Sequence, residues 1–478
     1  MKMIIGGERV DASDGAVLEV VNPSTGAVVD TVPNATLEDV ERAVDAAREG
    51  FRTWRKVPLH ERISTVYRFT DLMAQNREQY AKLMAETIGK PYGASLADVD
   101  NTVDISRIFA EKARGLGGES FALGTEAGVE RDFAFTMREP LGVAVCIVPF
   151  NYPAQLYAFK AIPALLMGNA VIVKPTTDVP LDNILFTEHL LEAGVPANAA
   201  QCVTGRGSTV GAWLAGSPKI NAVSLTGSVK TGVEIAKAAA PNLTRVMLEL
   251  GGNDATIICD DADLELAISE AVGGRLSNSG QTCCAPKRFV VDNKVRGEFV
   301  RLLAAAVAEV KVGDPFDPDV FMGPLVSEEA AVTVAQQVEL TIAQGARLVC
   351  GGGRNGAFFE PTVLDDVTPA MDIARDMEVF GPVIPVIGYD TFDEAIELAN
   401  LPETGLGGGI ITVDVKKAMR AATEMECGTL VMNGTGNYRF SLHPFGGHKK
   451  SGIGYEGASV TLEEYSQLKT VALKKVLA

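Results

Sequence analysis

The run "GVAVCIVPFNYPAQ" (residues 142–155) passes from a short valine-rich segment, through a turn bounded by two prolines, into a helical pattern. Similar apolar runs recur and are predicted strands: "AVIVK" (170–174), "QCVTG" (201–205), "INAVSLTG" (220–227) and "RVMLEL" (245–250). Helices are predicted between them, at 154–167, 182–193 and 228–240. Strands alternating with helices in this way indicate βαβ units and a parallel sheet buried on both faces. Ligands of such sheets bind at the carboxyl ends of the strands.

A second set of strands and helices begins after residue 252, with helices predicted at 262–277, 294–309 and 326–343 and strands at 287–292, 408–414 and 428–433. Near the N-terminus, Thr36 is a predicted helix cap with Asp39 three residues on, and a further helical stretch is predicted over 59–88. The predicted fold is therefore α/β, with two doubly wound domains. They comprise 1–118 with 139–250, and 251–450; a small β element for oligomerisation comprises 119–138 and 451–478.

Composition narrows the class of protein. The chain of 478 residues has 47% hydrophobic residues and a net charge of −18, which argues against nucleic acid or an anionic membrane as partners. The N-terminus lacks the apolar core of a signal peptide, and no apolar run is long enough to cross a bilayer. Seven cysteines without a CxxC pair, and four histidines with none at i,i+4, disfavour a disulfide framework and a metal site. We expect a cytoplasmic protein.

One glycine motif is misleading. Residues 351–356, "GGGRNG", satisfy the G-x-G-x-x-G spacing of a dinucleotide fingerprint. That fingerprint must open a helix, but "AFFEPTVL" follows, with a proline and no helical period. A plain loop is the better interpretation.

Polar residues at the predicted strand ends are better candidates for a site. Ser228, after Gly227, starts a helix, where free backbone N–H groups can hold a phosphate; a simple helix cap is the alternative. Lys174 ends a strand, and is either a ligand of ribose or phosphate or a surface lysine. Asn151 is either a turn former or a positioned amide donor.

Glu249 lies in the apolar strand "LELGG", where a carboxylate is costly unless it is paired or functional. Desolvation would raise its pKa toward that of a useful base. Glu378 lies three residues before a Gly-Pro turn. In "SNSGQTCCAPKR" (277–288), Cys283 and Cys284 are adjacent, and they are either core residues, a redox or metal pair, or a nucleophile and its neighbour.

Read in order, "PFNYP", "VKPTT", "LTGSVKTG", "LELGG", "SGQTCCAPKR", "EVFGP" and "PFGGHKKSGIG" resemble the NAD(P)-dependent aldehyde dehydrogenase superfamily over essentially the whole chain. The resemblance is to non-acylating members, such as those acting on lactaldehyde, succinate semialdehyde or glyceraldehyde 3-phosphate. It implies an NAD(P)-binding first domain, a catalytic second domain, and a homodimer or homotetramer.

The resemblance also implies site residues. The catalytic residues are Cys283 as nucleophile, Glu249 as general base and Asn151 as oxyanion donor. The cofactor-binding residues are Pro149, Phe150, Lys174, Thr177, Gly207, Gly211, Gly227, Ser228, Glu378 and Phe380. The substrate-binding residues are Tyr152, Arg439 and Cys284.

The chemistry follows from the residue types. A thiolate makes the aldehyde carbon tetrahedral, hydride leaves to the cofactor, and a thioester remains for water to hydrolyse. Relatives that release acyl-CoA lack the glutamate, so Glu249 favours hydrolysis over a CoA-acylating enzyme. A cofactor-free cysteine hydrolase would need a histidine partner, and none has a recognisable context.

Preferences within the family are harder to predict. NAD-preferring members often carry a glutamate where this chain has Thr177, so we expect NADP or dual use. Arg439 suggests a small hydroxylated or anionic aldehyde, because its guanidinium can hold a carboxylate or phosphate. The alternative is an arginine paired with an acidic neighbour.

Overall fold

The computed structural model describes residues 1–476 of the chain. It is an α/β protein with two large, mostly parallel sheets, as the sequence predicted. The final two residues of the predicted 451–478 segment lie outside the described residues.

The strands are β1 (Met3–Ile5), β2 (Glu8–Val10), β3 (Val17–Val21), β4 (Val28–Pro33), β5 (Phe133–Pro140), β6 (Val143–Val148), β7 (Ala170–Pro175), β8 (Ala200–Cys202), β9 (Ala222–Gly227), β10 (Arg245–Leu250), β11 (Ala255–Ile258), β12 (Arg288–Asp292), β13 (Arg347–Cys350), β14 (Arg354–Asn355), β15 (Phe358–Phe359), β16 (Thr362–Val367), β17 (Val383–Tyr389), β18 (Thr404–Gly405), β19 (Gly407–Ile411), β20 (Thr429–Met432), β21 (His448–Lys449), β22 (Gly452–Ile453) and β23 (Ser466–Leu473).

The α-helices are α1 (Leu37–Trp54), α2 (Leu59–Gln75), α3 (Arg77–Ile88), α4 (Tyr92–Gly115), α5 (Pro153–Leu166), α6 (Leu181–Glu192), α7 (Ala212–Gly216), α8 (Val229–Ala239), α9 (Leu264–Leu276), α10 (Asn293–Ala308), α11 (Glu328–Ala343), α12 (Phe392–Asn400), α13 (Val415–Glu424) and α14 (Ala458–Glu464).

The first sheet has the order β2-β1-β8-β7-β6-β9-β10-β22. Its centre, β8-β7-β6-β9-β10, is parallel, and β1 and β22 pair antiparallel at the two sides. Every residue of β7 is buried, which explains why the strand reads as a continuous apolar run ending in lysine and proline.

The second sheet has the order β13-β16-β17-β12-β11-β19-β20, and only β13 pairs antiparallel. Successive residues of a strand point to opposite faces, and each face has its own core. Ile257 and Val290 belong to one apolar cluster, whereas Ile258 and Val291 belong to another. The layers on both sides of this sheet bury its central strands β12, β11 and β19 completely, whereas β13 and β20 at its two sides are partly exposed.

The local predictions hold with three differences. Thr36 and Asp39 form a reciprocal capping box at the start of α1, as predicted. The stretch predicted as one helix over 59–88 is two helices, because Asn76 leaves the helical conformation between α2 and α3. The long helix α4, which packs against α2, α3 and α5, had not been delimited from the sequence.

The third difference concerns the small β element. Residues 119–121 pair antiparallel with residues 134–136 around the Ser120–Phe135 bridge, and β5 also pairs antiparallel with β23, from Phe133 with Leu473 to Pro140 with Ser466. By contrast, β22 of the predicted 451–478 segment belongs to the first sheet. The glycine motif at 351–356 opens no helix, as predicted, but part of it, β14, pairs with β15 in a short hairpin that was not predicted. No helix within residues 1–476 is long and apolar enough to cross a membrane.

Candidate active site

The two sheets meet at a short connection. β10 ends at Leu250, residues 251–254 cross over, and β11 begins at Ala255. The carboxyl ends of the first sheet therefore face the amino ends of the second. Asn151 follows β6, Glu249 lies near the end of β10, and Cys283 precedes β12, so the three predicted catalytic residues converge at this junction.

The loop carrying Cys283 has an unusual backbone. Asn278, Ser279 and Gly280 are all left-handed, with φ of 50°, 57° and 76°. Such a run is strained for asparagine and serine and persists only where surrounding contacts hold it. The Asn278 side chain donates to the Asn151 carbonyl at 3.0 Å, and the Ser279 hydroxyl donates to the Gly323 carbonyl at 2.8 Å. A Cβ at Gly280 would lie 2.3 Å from the Gly381 carbonyl oxygen, so only glycine fits there.

Asn151 supports the same loop from the first sheet. Its buried side-chain amide donates to the Gln281 carbonyl at 2.9 Å, two residues before Cys283. The Gln281 side chain in turn accepts from the Val326 N–H at 2.9 Å. A primary amide has two N–H donors, so the second hydrogen of Asn151 is left for a ligand. Asn151 is therefore a positioned donor rather than only a turn former.

Glu249 is a buried carboxylate, and neither of its oxygens has a hydrogen-bond partner within residues 1–476. Burial first, and the nearby Glu456 carboxylate second, raise its pKa to about 7. Lys160, Arg439 and the Cys283 thiol act in the opposite direction. A carboxylate with this pKa can accept and release a proton near neutral pH.

The second buried carboxylate, Glu456, is stabilised by two cations. The Lys160 ammonium donates to one of its oxygens at 2.7 Å, and the Arg439 guanidinium donates to the other at 3.2 Å. These two cations outweigh the burial that acts on Glu456 first, and they lower the pKa of this carboxyl. Glu456 thus stays charged beside Glu249.

Cys283 is partly buried at the same junction. The neighbouring Cys284 thiol, burial and the Glu249 carboxylate raise the pKa of Cys283 well above its usual value, and Lys287 lowers it. The resting group is a thiol next to a carboxylate able to take its proton. The Cys284 thiol contacts the Asn437 side-chain oxygen at 3.5 Å.

A cavity of about 1210 Å³ opens on Cys283. Tyr152 and Arg439, predicted substrate residues, both line it, as does Cys284. The Tyr152 hydroxyl lies 3.4 Å from the Thr282 hydroxyl, and the Lys90 ammonium lies 3.8 Å from the centre of the tyrosine ring. The cavity thus reaches the thiol from one side.

Arg439 differs from the simple anion holder that its position suggested. Its guanidinium lies between the rings of Phe159 and Phe445, at 4.2 and 4.1 Å from their centres, and pairs with buried Glu456. Among described residues, however, its buried Nε has no hydrogen-bond partner.

The predicted cofactor residues lie along the carboxyl ends of the first sheet. Ser228 caps α8, accepting from the Thr231 N–H at 3.2 Å, directly after half-buried Gly227. Burial lowers the pKa of Lys174 to about 8, and its ammonium donates to the Pro175 carbonyl at 2.7 Å. A Cβ at Gly207 would lie 4.0 Å from this ammonium.

The remaining predicted cofactor residues extend this row or approach it from the second sheet. Phe150 and Phe380 meet edge to face, with ring centres 5.9 Å apart. Half-buried Pro149 and Thr177 follow β6 and β7 respectively. Gly211 ends the single helical turn that Gly207 begins.

A nicotinamide dinucleotide fits this donor set. The first N–H groups of α8 suit a pyrophosphate, and Lys174 suits hydroxyls or phosphate. The Glu378 carboxylate forms an ion pair through Oε1 with the Lys287 ammonium at 3.0 Å, and a carboxylate has further lone pairs that could accept from ribose.

Comparison with known proteins identifies the chain. The profile described as "Aldehyde dehydrogenase family" matches residues 10–471. The chain belongs to the aldehyde dehydrogenase family. It is thus an oxidoreductase that acts on aldehydes and uses NAD(P).

Three relatives of this aldehyde dehydrogenase illustrate its place in the family. It is 38% identical over 471 residues to betaine aldehyde dehydrogenase of Cereibacter sphaeroides, covering 98% of this chain and 96% of the relative. Betaine aldehyde dehydrogenase from Staphylococcus aureus in complex with NAD+ is 36% identical, with a TM-score of 0.95, covering 99% and 95% of the two chains. An E. coli NADP dependent enzyme is 32% identical, with a TM-score of 0.95, covering 99% and 98%.

Sequence reasoning missed several residues of this aldehyde dehydrogenase site. Lys160 and Glu456 are 296 residues apart, so their pairing could not be read from spacing. One signal was present: Lys160 is the one charged residue in α5, "PAQLYAFKAIPALL". Lysines are almost never buried without a partner, so a lysine in such a helix indicates one. No cluster of His, Cys, Asp or Glu suited to a metal occurs within residues 1–476.

Proposed function

We propose that this aldehyde dehydrogenase oxidises its substrate to the carboxylic acid through a thioester on Cys283 that water hydrolyses. The observation that carries the proposal is Glu249. Its carboxylate is buried, has no hydrogen-bond partner among the described residues, and has a pKa of about 7 beside the thiol. A base so placed can serve the thiol and then the hydrolytic water.

In the first half-reaction, Glu249 takes the thiol proton and the sulfur of Cys283 bonds to the aldehyde carbon. The oxygen of the aldehyde becomes an oxyanion, for which the free N–H of the Asn151 side chain and the Cys283 backbone N–H are donors. Each such donor contributes roughly 3 kcal/mol to the transition state. NAD(P)+, when bound, supplies the hydride acceptor.

When hydride leaves the carbon, the oxyanion re-forms its C=O bond and a thioester remains. Glu249 then passes the thiol proton to solvent. In the second half-reaction it takes a proton from water as the water oxygen attacks the thioester carbon. The carbon–sulfur bond breaks, the acid leaves, and Cys283 regains its proton. Burial first, and the Glu456 carboxylate second, keep the pKa of Glu249 high enough for this exchange near neutral pH.

The test is formation of reduced nicotinamide from an aldehyde panel, with and without CoA, followed by product analysis. We expect the free acid and a rate that does not depend on CoA. Acyl-CoA as product would instead show a CoA-acylating enzyme, and hydrolysis of esters without any reduced nicotinamide would show a cofactor-free cysteine hydrolase.

For the substrate, we propose an aldehyde with a quaternary ammonium group. Two relatives are named for betaine aldehyde, and the cavity offers the carboxylates of Asp104 and Glu270 and the rings of Tyr438 and Phe440. Carboxylates and aromatic faces are what quaternary ammonium ligands contact. The one cation in the lining, Arg439, is paired with Glu456, which it shares with Lys160.

A second candidate, a small hydroxylated or anionic aldehyde such as lactaldehyde or succinate semialdehyde, is favoured by the unpartnered Nε of Arg439. The panel should compare these with betaine aldehyde in the wild type and in Arg439→Lys. We expect betaine aldehyde to give the highest kcat/KM. A higher value for succinate semialdehyde, lost selectively in the variant, would establish the second candidate.

For the cofactor, we propose dual use with NADP preferred. Thr177 carries no charge to repel a 2′-phosphate, and Lys174 can pair with one. The exposed Arg206, next to Gly207, has a side chain without a hydrogen bond or ion pair within residues 1–476. The Asp178 carboxylate disfavours NADP binding, because its negative charge interacts with Lys174 and would repel a 2′-phosphate held there. A kcat/KM for NAD a hundredfold above that for NADP would refute the preference.

We also propose the domain division predicted from the sequence, and assembly through the small β element. β5 and β23 expose Met137, Leu468 and Leu473 on a two-stranded sheet whose β23 edge pairs with no other strand within the described chain. Light scattering should give a dimer or tetramer, and Leu468→Asp should shift it toward the monomer. All seven cysteines are free thiols, which agrees with the proposed cytoplasmic location.

A further inference from the structure

Lys287 is a buried cation four residues after the nucleophile. It is 2% exposed, and its backbone N–H donates to the Asp254 carbonyl at 2.9 Å. Its ammonium donates to the carbonyl of Cys283 and forms an ion pair with Glu378 at 3.0 Å. A buried ammonium is costly unless such partners hold it, so these contacts fix its place.

The partners of Lys287 come from three separate segments. Cys283 belongs to the loop before β12, Asp254 to the connection between the sheets, and Glu378 to the segment before β17. The Glu378 carboxylate lies so close to Gly251 that a Cβ there would be 2.1 Å from its Oε2. Lys287 therefore connects the nucleophile to Glu378, the carboxylate proposed to bind the cofactor ribose.

The charged and titratable groups around this junction have opposing effects. Those acting on the Cys283 thiol are Cys284, Glu249 and Lys287, and those facing Lys287 are Asp254 and Glu378. Burial raises the pKa of Asp254 to about 7, and Lys287 lowers it. Glu249 itself faces Glu456, Lys160 and Arg439.

We propose that Lys287 is a positioning residue that holds the Cys283 loop and promotes ionisation of the Cys283 thiol, and that its ion pair with Glu378 restrains this effect until a ligand engages Glu378. The proposal rests on Cys283 being the nucleophile, as in the proposed function.

The direction of the effect follows from charge. A cation near the thiol favours the thiolate, and an anion that neutralises the cation weakens that help. Removing Lys287 should therefore make Cys283 less reactive, whereas removing the charge of Glu378 should make it more reactive. A ligand that hydrogen-bonds Glu378 would act in the same direction as removing its charge.

The experiment measures the rate at which iodoacetamide alkylates Cys283 across a pH series, with no cofactor present and with the label located by peptide mass spectrometry. The variants are Lys287→Met, Lys287→Arg, Glu378→Gln and the double variant Lys287→Met/Glu378→Gln. The exposed Lys294, whose partner is Asp260, provides the control Lys294→Met.

At neutral pH we expect Lys287→Met to slow alkylation about fivefold and Glu378→Gln to speed it about threefold. The thiolate is the reactive form, and a change of one unit in the pKa of the thiol changes the thiolate fraction about tenfold. The double variant should behave like Lys287→Met, since Glu378 acts only through Lys287. Lys287→Arg should retain most of the wild-type rate, and Lys294→Met all of it.

Two results would overturn the proposal: a Glu378→Gln enzyme with the wild-type profile, or acceleration by Glu378→Gln that persists in the double variant. The first needs only Glu378→Gln, so it decides the matter even if Lys287→Met fails to fold. Alkylation needs no turnover, so its outcome is separate from the proposed function, which would fail instead if Cys283→Ser kept dehydrogenase activity.

Discussion

The two parallel sheets contribute opposite strand ends to the candidate active site. The first contributes its carboxyl ends to the site, with Asn151, Lys174 and Glu249, as ligand sites of such sheets generally do. The second contributes its amino ends, with Cys283 before β12 and Glu378 before β17. The reason is the short connection over residues 251–254, which keeps the amino end of β11 close to the carboxyl end of β10.

The unused edge of the second sheet shows the difference. At its carboxyl ends, Asp260 pairs with Lys294 at 2.8 Å and with Lys417 at 2.6 Å, and Asp261 accepts from the Thr412 hydroxyl at 2.7 Å. These polar groups satisfy one another. At the shared edge, by contrast, both buried oxygens of Glu249 lack hydrogen-bond partners within residues 1–476. Unsatisfied buried groups thus distinguish a working edge from a structural one.

The largest effect is expected for Cys283→Ser, which should lower kcat by at least about a thousandfold because a serine hydroxyl is a far weaker nucleophile. Cys284→Ser should keep activity within about threefold, since serine is nearly the same size and its hydroxyl can still donate to the Asn437 side-chain oxygen. Steady-state formation of reduced nicotinamide measures both. The reverse pattern would show that Cys284 is the nucleophile.

Glu249→Gln should come next, with loss of turnover of roughly a hundredfold or more, because the hydrolytic water loses its base. A stopped-flow burst of reduced nicotinamide should keep its amplitude of one equivalent per site, although it should rise more slowly because Glu249 also takes the thiol proton. Equal loss of burst and turnover would contradict a mainly deacylating role.

The pH dependence of the wild type follows from the same group. Glu249 has a pKa raised to about 7, so it is protonated and inactive as a base below that pH. Turnover should therefore rise with pH through about 7 and level off above it. This rise of kcat with pH should disappear in Glu249→Gln. A wild-type kcat that does not change across neutral pH would argue against Glu249 as the base.

Asn151→Ala should lower kcat by roughly a hundredfold, the cost of one oxyanion donor. Because Asn151 also donates to the Gln281 carbonyl, the variant should be checked for an unchanged alkylation rate of Cys283. If alkylation falls by the same factor as kcat, loop support rather than oxyanion binding is its role.

The smallest effect is expected at the unused edge. Lys294→Met should leave kcat/KM within about twofold, because the exposed ion pair with Asp260 is remote from the junction. A loss comparable with that of Asn151→Ala would show that both edges of the second sheet contribute to catalysis.

Much of this organisation could be predicted from the sequence. Valine-rich strands alternating with helices specify a parallel sheet, and Thr36 with Asp39 specifies the start of α1, because both are local patterns. The motifs around Asn151, Glu249 and Cys283 indicated the chemistry, since each is a short stretch with its own residue types. The break at Asn76 was missed because helical periodicity continues across it.

Only the tertiary structure decided which charges meet. Arg439 was predicted to hold a substrate anion or pair with an acidic neighbour, and packing between two phenylalanines directs it to Glu456. The pKa of Glu249 and the junction at Lys287 likewise depend on residues from distant segments. The sequence determined the elements and the reactive groups because these depend on neighbours along the chain. The electrostatic balance among those groups depends on neighbours in space, which only folding brings together.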